Sequence, residues 1–509
     1  MRVKNTDVEA GAHVVLISSK DAAEQGIHAG DRVLIRSKRK TEVAIVNISD
    51  AIPKGTVSFT KDVQEELKLN DGSEIEIAEM PLPESLLAIK NRLNGVRLDS
   101  QTAYEIIKDT VTKRLDKDEI TAFLVSLHMF PLDLEEAAYV SDAMVKTGET
   151  LQLNKKRIFD KHSIGGVPGD KTSMLVVPIV AAAGLTIPKT SSRAITSAAG
   201  TADRAEVLMP VNLDVSEVKR VVEKTNGCLV WGGAVHLAPA DDIFIKTEYQ
   251  FSIDPLMLPS IISKKKAVGS TDMVLDVPIG STMKIKTESE GRMLVRDFAT
   301  LGKRLGINIE GALTNGTQPI GYAVGAAAEA KEALAIITNR GKAMDLVEKA
   351  TSIAGILLEM SGKKNGKKLA KDIIAKGLAE KKLRQIIEEQ GGDPKVKPGD
   401  IEIGEHSESV AAGQDGLVLG FDNYAIASIV KLAGAPNNKK AAMIINKKLF
   451  DTVKKGDTLF TVYSESAPLL KSAMKYANEN TPVIVGSANR MLLKHVKFER
   501  FMPQFILER

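Results

Sequence analysis

Thirteen residues, KHSIGGVPGDKTS at positions 161–173, hold the densest chemistry in the sequence. Two lysines, two serines and a threonine sit among three glycines and a proline. Glycine admits backbone angles closed to other residues, so Gly165, Gly166 and Gly169 let successive N–H groups converge on one anion. Lys161 and the hydroxyls of Ser163 and Ser173 add a charge and further donors. An apolar helix starting near Met174 would point its N-terminal N–H groups at the same anion. A plain strand-to-helix turn needs fewer lysines and hydroxyls than this. The end of the segment also resembles the triphosphate loop G-x-x-x-x-G-K-[ST]. Asp170, however, stands where that loop requires glycine, and its carboxylate would oppose a phosphate. With no clear Walker-B acid elsewhere, a nucleoside triphosphatase is not expected.

A second cluster follows in SSRAITSAAGTADRAE, residues 191–206. Ser192, Arg193, Thr196, Ser197 and Thr201 supply hydroxyls and a guanidinium, and Ala194, Ala198, Ala199 and Gly200 leave room for a ligand. The bland alternative is a hydroxyl-rich loop with its arginine in a salt bridge. Two anion-suited clusters about 30 residues apart, joined by an apolar run, fit one cleft that holds two anions. His128, His162 and His236 are scattered, with no metal-ligand spacing. No metal and no organic cofactor are expected.

Elements must position these clusters. The chain has 509 residues, of which 43% are apolar and 26% charged, enough for several packed domains and too apolar for disorder. Residues 1–83 read as a β domain. IHAGDRVLI (residues 27–35) and LNDGSEIEI (residues 69–77) are similar half-units, each a glycine turn leading into alternating apolar residues, which suggests a pseudo-symmetric barrel. Residues 84–157 read as a helical domain, to which residues of about 236–270 are expected to return. Asp116 with Glu119 forms a capping-box pattern, and another helix begins near Asp133 and stops at Gly148. Residues 158–400 alternate short apolar runs with amphipathic helices, the pattern of an α/β domain with a mostly parallel sheet. Strand candidates there are LVVPIV (which also falls within the expected apolar helix), AVHLAP, MVLDVPI and the stretch around Ile307. Residues 401–509 read as an α+β domain, with IVKLAGAP, AAMIINKK and DTLFTVYSE as short strands.

The net charge of +4 is small for this length, and aromatics are only 4% of the chain. Nucleic acid and membrane are therefore not expected partners. The longest central apolar run is too short to span a bilayer and contains Pro178. The start of the chain shows no signal-peptide pattern, so the expected compartment is the cytosol. The single cysteine, Cys228, excludes an intrachain disulfide.

KHS-x-GG with GD and a hydroxyl pair, followed by S-S-R-A-I-x-x-A-A-G-T-x-D, resembles the thymidine and pyrimidine nucleoside phosphorylase family. LTNGTQPIGYAVG (residues 313–325) and IIEEQGGDP (residues 386–394) are similar to two further stretches of that family. The resemblance runs from about Arg97 to the end. Ala205 is a minor departure, at a position where the family prefers Leu, Ile or Val. Two larger departures are informative. The pyrimidine enzymes have GGVGD where this chain has the longer GGVPGDK, which adds Lys171, and the chain carries the extra N-terminal β domain. Both features resemble the AMP phosphorylases, the archaeal-type branch that cleaves nucleoside 5′-monophosphates to base and ribose 1,5-bisphosphate.

The resemblance implies a glycosyltransferase that acts on a nucleoside monophosphate and inorganic phosphate, both substrates, as a homodimer or larger homo-oligomer. It assigns Lys161, Ser163 and Ser173 to the attacking phosphate. It assigns Gly166, Ser192, Arg193, Ala194, Ile195, Thr196, Ser197 and Thr201 to the nucleotide, with Ser260 and Lys284 as further contacts. Lys171 is expected to serve the 5′-phosphate, and Lys264 is an additional possibility. Asp254 is the proton donor to the leaving base; its plain alternative is a helix cap before Pro255. Thymidine phosphorylase is the second reading. A phosphoribosyltransferase of the anthranilate type is the third, although no acidic pair is placed for its magnesium-pyrophosphate site.

Overall fold

The structure, a computed structural model, describes residues 1–4, 8, 13–37, 40–194 and 197–487. The chain divides into two compact units. One holds residues 1–152, 232–270 and 297–307; the other holds residues 153–231, 271–296 and 308–509.

The first unit begins with a six-stranded sheet in the order Arg2–Val3, Thr56–Phe59, Val14–Ile17, Thr41–Ile48, Arg32–Arg36, Glu76–Glu79. Its two edges meet through an antiparallel bridge between Arg2 and Glu74, so the sheet curls into a barrel-like shape. The two similar half-units are both strand–helix–strand. Val14–Ile17, Ser19–Gln25 and Arg32–Arg36 form one, and Thr56–Phe59, Lys61–Leu67 and Glu76–Glu79 the other. Their last strands pair antiparallel, with Ile35 opposite Ile77. The alternation seen in the sequence buries Val33 and Ile35 against Val15, Val46 and Phe59.

A helical layer follows in the same unit: Ser85–Leu93, Ser100–Val111, Lys117–Met129 and Leu134–Lys146, with Pro239–Phe251 and Met257–Ala267 returning to it. Asp99, Asp116 and Asp133 each close a capping box, with Thr102, Glu119 and Glu136 as partners. Ile106, Phe123, Leu124, Val140, Met144 and Phe244 form its core. Arg32 makes a two-pronged bond to Glu119 at 2.7 and 2.9 Å, tying the sheet to the helices.

The second unit is built on parallel strands. Asn308–Asn315, Asp272–Ile279 and Phe159–Ser163 pair in that order, and Ile187–Ser191 pairs with Gly227–Trp231. A parallel bridge from Ile158 to Thr186 links the two groups. LVVPIV is not a strand: it lies inside the helix Thr172–Ala182, whose residues from Thr172 to Ala181 are all buried. A segment apolar on every side shows neither period, so periodicity alone does not separate a buried helix from a buried strand. AVHLAP is a turn leading into the helix Pro239–Phe251 rather than a strand. MVLDVPI is the strand Asp272–Ile279, and the stretch around Ile307 leads into Asn308–Asn315.

The last part of this unit carries two antiparallel sheets. One orders Ala323–Val324, Ala442–Ile445, Thr458–Ser464 and His406–Ala411; the other orders Thr452–Val453, Gly416–Phe421 and Val483–Gly486. IVKLAGAP is helical, forming the end of Asn423–Leu432 and its exit turn. Ile426, Ile429 and Val430 pack there against Phe460 and Val462, and this packing overrides the strand preference of the β-branched residues.

Candidate functional site

Three loops leave the C-terminal ends of the parallel strands in the second unit. One follows Phe159–Ser163, one follows Ile187–Ser191, and one follows Asp272–Ile279. This is the edge at which open parallel sheets bind ligands. The first loop contains residues 164–171, the second residues 192–200, and the third Lys284.

In the first loop Gly165, Gly166 and Gly169 all have positive φ. Gly169 is also constrained by space, since a Cβ there would lie 2.6 Å from the Ile320 carbonyl and 2.8 Å from that of Ala323. Lys161 is buried, 3.2 Å from Asp276 and 3.9 Å from Asp170. Lys349, on the helix Met344–Met360, reaches the same two carboxylates at 3.0 and 3.8 Å. Burial alone would raise the Asp170 pKa, but Lys161 and Lys349 outweigh it and hold the carboxyl well below the usual range. Burial likewise opposes the Lys349 charge, and Asp170 and Asp276 overcome it. Ser163 is half-buried and accepts a long bond from the Gly165 N–H at 3.4 Å. Ser173 is buried in the first turn of the following helix. Beside it the buried Thr172 hydroxyl has no hydrogen-bond partner among the described residues. Gly166 is exposed.

Lys171 departs from expectation. Its side chain is fully buried, and its ammonium lies 2.8 Å from each of the Glu332 carboxylate and the carbonyls of Ile320 and Ala323. Two of the ammonium's protons go to these carbonyls, and the Glu332 carboxylate matches its charge. Lys171 therefore fastens the glycine loop to residues 320–323, with its charge already matched by Glu332 rather than by a 5′-phosphate.

The second loop is organised by its own carboxylates. Arg193 bonds both oxygens of Glu206 at 2.6 and 2.8 Å, reaches Asp203 at 3.2 Å and Asn212 at 3.1 Å, and covers the Trp231 ring. Glu206 is pulled down to about 2 by the Arg193 bond, against partial burial, with Lys439 assisting. The guanidinium expected on the nucleotide is thus committed to the loop itself. Asp203 also accepts from the backbone N–H groups of Ala194 (2.7 Å) and Gly200 (2.8 Å), holding these two positions on one carboxylate. Ser192 is exposed, the Ser197 hydroxyl donates to the Ala199 carbonyl, and Thr201 opens the helix Thr201–Ala205. Ile195 and Thr196 lie outside the described residues. Lys284 is exposed on the third loop.

Asp254, Ser260 and Lys264 belong to the first unit. Asp254 is exposed in the short link before the helix Met257–Ala267. That helix takes Leu256 as its N-cap, so Asp254 is not the cap. The Leu256 N–H bonds the carboxyl of Glu248 on the preceding helix. Glu248 is buried, and burial together with the charges of Asp254 and Asp241 pushes its pKa up to about 8. Ser260 is half-buried in the first turn. Lys264 bonds Asp241 at 2.6 Å, so its charge is already matched within the unit.

Asp276, Lys349, Glu332 and Glu248 were not singled out from the sequence, although two of them carry a signal. Asp276 interrupts the apolar run from Met273 to Ile279, and Lys349 falls on the stripe Leu346, Ala350, Ile353, Leu357 that faces the core. Among the described residues, His13, Glu42 and Glu66 form a group with metal-type donors. The Lys113 ammonium already sits 2.6 Å from His13 and 2.7 Å from Glu66, so the chain supplies the positive charge there.

Residues 155–380 match the model of the glycosyl transferase family a/b domain, and residues 87–148 match that family's helical bundle domain. Residues 1–77 match a molydopterin dinucleotide binding domain. The chain is 46% identical over 503 residues to the AMP phosphorylase of Thermofilum pendens, covering 98% of each chain. It is 47% identical to that of Thermococcus sibiricus over 95% of this chain and 97% of the relative. It is 41% identical to that of Methanosarcina barkeri over 97% and 98%. Among solved structures, anthranilate phosphoribosyltransferase from Thermus thermophilus superimposes with a TM-score of 0.51 at 19% identity, covering 60% of this chain and 99% of the other. This last likeness concerns the fold. The near-complete coverage at such identity places the chain in the AMP phosphorylases, a branch of the thymidine and pyrimidine nucleoside phosphorylase family.

Proposed function

We propose that the protein catalyses phosphorolysis of AMP, giving adenine and ribose 1,5-bisphosphate. The observation that carries this is the 46% identity to an AMP phosphorylase across 98% of both chains. A phosphate oxygen forms a bond to C1′ of the ribose while the C1′–N bond breaks. The bonding electron pair leaves with the base, which takes up a proton. Two anions must be held near one carbon against their mutual repulsion, and this is the task of the two loops. Lys161, Ser163 and Ser173 bind the attacking phosphate. Gly166, Ser192, residues 194–197 and Thr201 bind the nucleotide, with Ser260 and Lys284 as further contacts. Arg193 acts by holding its loop in shape rather than by touching the nucleotide. Asp254 delivers the proton. No helix among the described residues is long and apolar enough to cross a membrane. The proposed working form is a homodimer or larger homo-oligomer in the cytosol, where nucleoside monophosphates and phosphate are found. No cofactor enters the proposed chemistry.

The test is purified protein with phosphate and, in separate reactions, AMP, CMP, UMP, adenosine or thymidine, following free base. AMP should be cleaved on the order of a hundredfold faster than adenosine in kcat/KM, because a site built for a doubly charged group loses its main contacts without it. Turnover of thymidine equal to or better than that of AMP overturns the proposal.

A further inference from the structure

We infer that Lys349 is a positioning residue for the attacking phosphate: by sharing Asp170 and Asp276 with Lys161, it keeps the Lys161 ammonium available to the incoming anion. The inference rests on the proposed assignment of Lys161 to phosphate. Lys161 and Lys349 lie 3.2 and 3.0 Å from Asp276, and 3.9 and 3.8 Å from Asp170. Two cations and two carboxylates thus form a neutral group. The side-chain exposures are 3% for Lys161, 7% for Lys349, 11% for Asp170 and 0% for Asp276, so water screens these charges little.

Neutrality has a consequence for binding. With Lys349 present, each carboxylate has a second cation, and Lys161 can be drawn toward a phosphate without leaving Asp276 bare. Without Lys349, one lysine faces two carboxylates. It is then held by both, and the group carries a net negative charge beside the place where an anion must enter. At 3.0 Å from Asp276, Lys349 brings a full positive charge to the group. The anchor points are fixed. Asp276 accepts from the Thr314 hydroxyl at 2.6 Å on the neighbouring strand, and Lys349 projects from the buried side of the helix Met344–Met360.

Steady-state kinetics with AMP and varied phosphate tests this. Lys349→Met should raise KM for phosphate on the order of tenfold or more, with a smaller change in kcat and unchanged AMP binding in the absence of phosphate. Lys349→Arg should stay near the parent enzyme, because it keeps the charge. Lys349→Met/Asp170→Asn should bring KM for phosphate back to within a few-fold of the parent, because the charges balance again. The asparagine keeps the oxygen that accepts from the Thr172 N–H. If Lys349→Met proves too unstable to assay, the double variant alone decides: near-parental KM supports the inference, and a large rise overturns it. A fall in kcat with unmoved phosphate KM, or a double variant no better than the single, also overturns it. Lys161→Ala is measured alongside. Unchanged phosphate KM in that variant removes the phosphate assignment itself and this inference with it. A raised KM there with an unmoved Lys349→Met removes only the role of Lys349.

Discussion

The Lys171 ammonium and the Glu332 carboxylate lie 2.8 Å apart beside the glycine loop, and the carbonyls of Ile320 and Ala323 accept hydrogen bonds from the same ammonium. Glu332 in turn accepts from the Tyr322 N–H at 2.9 Å. One inserted lysine therefore locks the loop to a segment about 150 residues later.

Breaking that lock should be a stability defect. Lys171→Met leaves the Glu332 charge and two carbonyls without their cation, at a cost of about 3–5 kcal/mol. Lys171→Met/Glu332→Gln should recover part of this, since no lone charge remains. Urea denaturation of the parent and both variants checks the order. A fully stable Lys171→Met with AMP affinity lost would return the lysine to the 5′-phosphate.

Asp254 is exposed in the link before the helix capped by Leu256, and Asp254→Asn keeps its shape, so the variant should fold and melt much like the parent. If its carboxyl protonates the departing base, kcat should fall roughly 10²–10⁴-fold with KM for phosphate little changed. Melting curves and steady-state kinetics on the same preparation check both halves, and near-normal kcat refutes the role.

Glu248 gives a prediction with a defined pH window. Its folded pKa, about 8, lies above the ordinary value of 4.5. The folded state therefore holds a proton that the unfolded state releases between these values. The associated stability is full below pH 4.5 and is lost as pH rises through 8. Glu248→Gln cannot ionise and keeps an acceptor for the Leu256 N–H. It should melt at a temperature close to the parent's at pH 4.5 and several degrees higher at pH 9. Parallel Tm–pH profiles for the two proteins would refute the raised pKa.

Lys161 and Arg193 should separate kinetically. Lys161→Ala removes a charge-assisted contact worth about 1.5–3 kcal/mol, so KM for phosphate rises while AMP binding without phosphate is nearly unaffected. Arg193→Ala frees Glu206, loosens the 192–200 loop and weakens AMP binding together with stability. Arg193→Ala/Glu206→Gln should regain stability before affinity. Calorimetric titration of AMP into the variants decides the matter. Equal loss of AMP affinity in Lys161→Ala and Arg193→Ala would show that the two loops do not hold separate anions.

Local chemistry was legible in the sequence. Asp116 and Asp133 cap helices because each bond is closed within three residues. The repeated glycine-turn strands of residues 27–35 and 69–77 were visible because strand alternation is a local pattern, and Ile35 does meet Ile77. The glycine-rich loop stood out because glycines set among lysines and hydroxyls form a local pattern, and Gly165, Gly166 and Gly169 do have positive φ. Tertiary structure decided the partners of the charges. Arg193 has its main partner 13 residues away, while Lys171 meets Glu332 and Lys161 meets Asp276 more than a hundred residues on. No spacing rule announces such pairs, because they form only when parallel strands bring distant loops to one edge. The same holds for LVVPIV, whose all-apolar residues fit helix or strand until neighbours cover every side. The residue types showed which chemistry was possible. Burial against distant segments decided which of those residues are still free to do it, because a buried charge must be matched by whatever the fold places beside it.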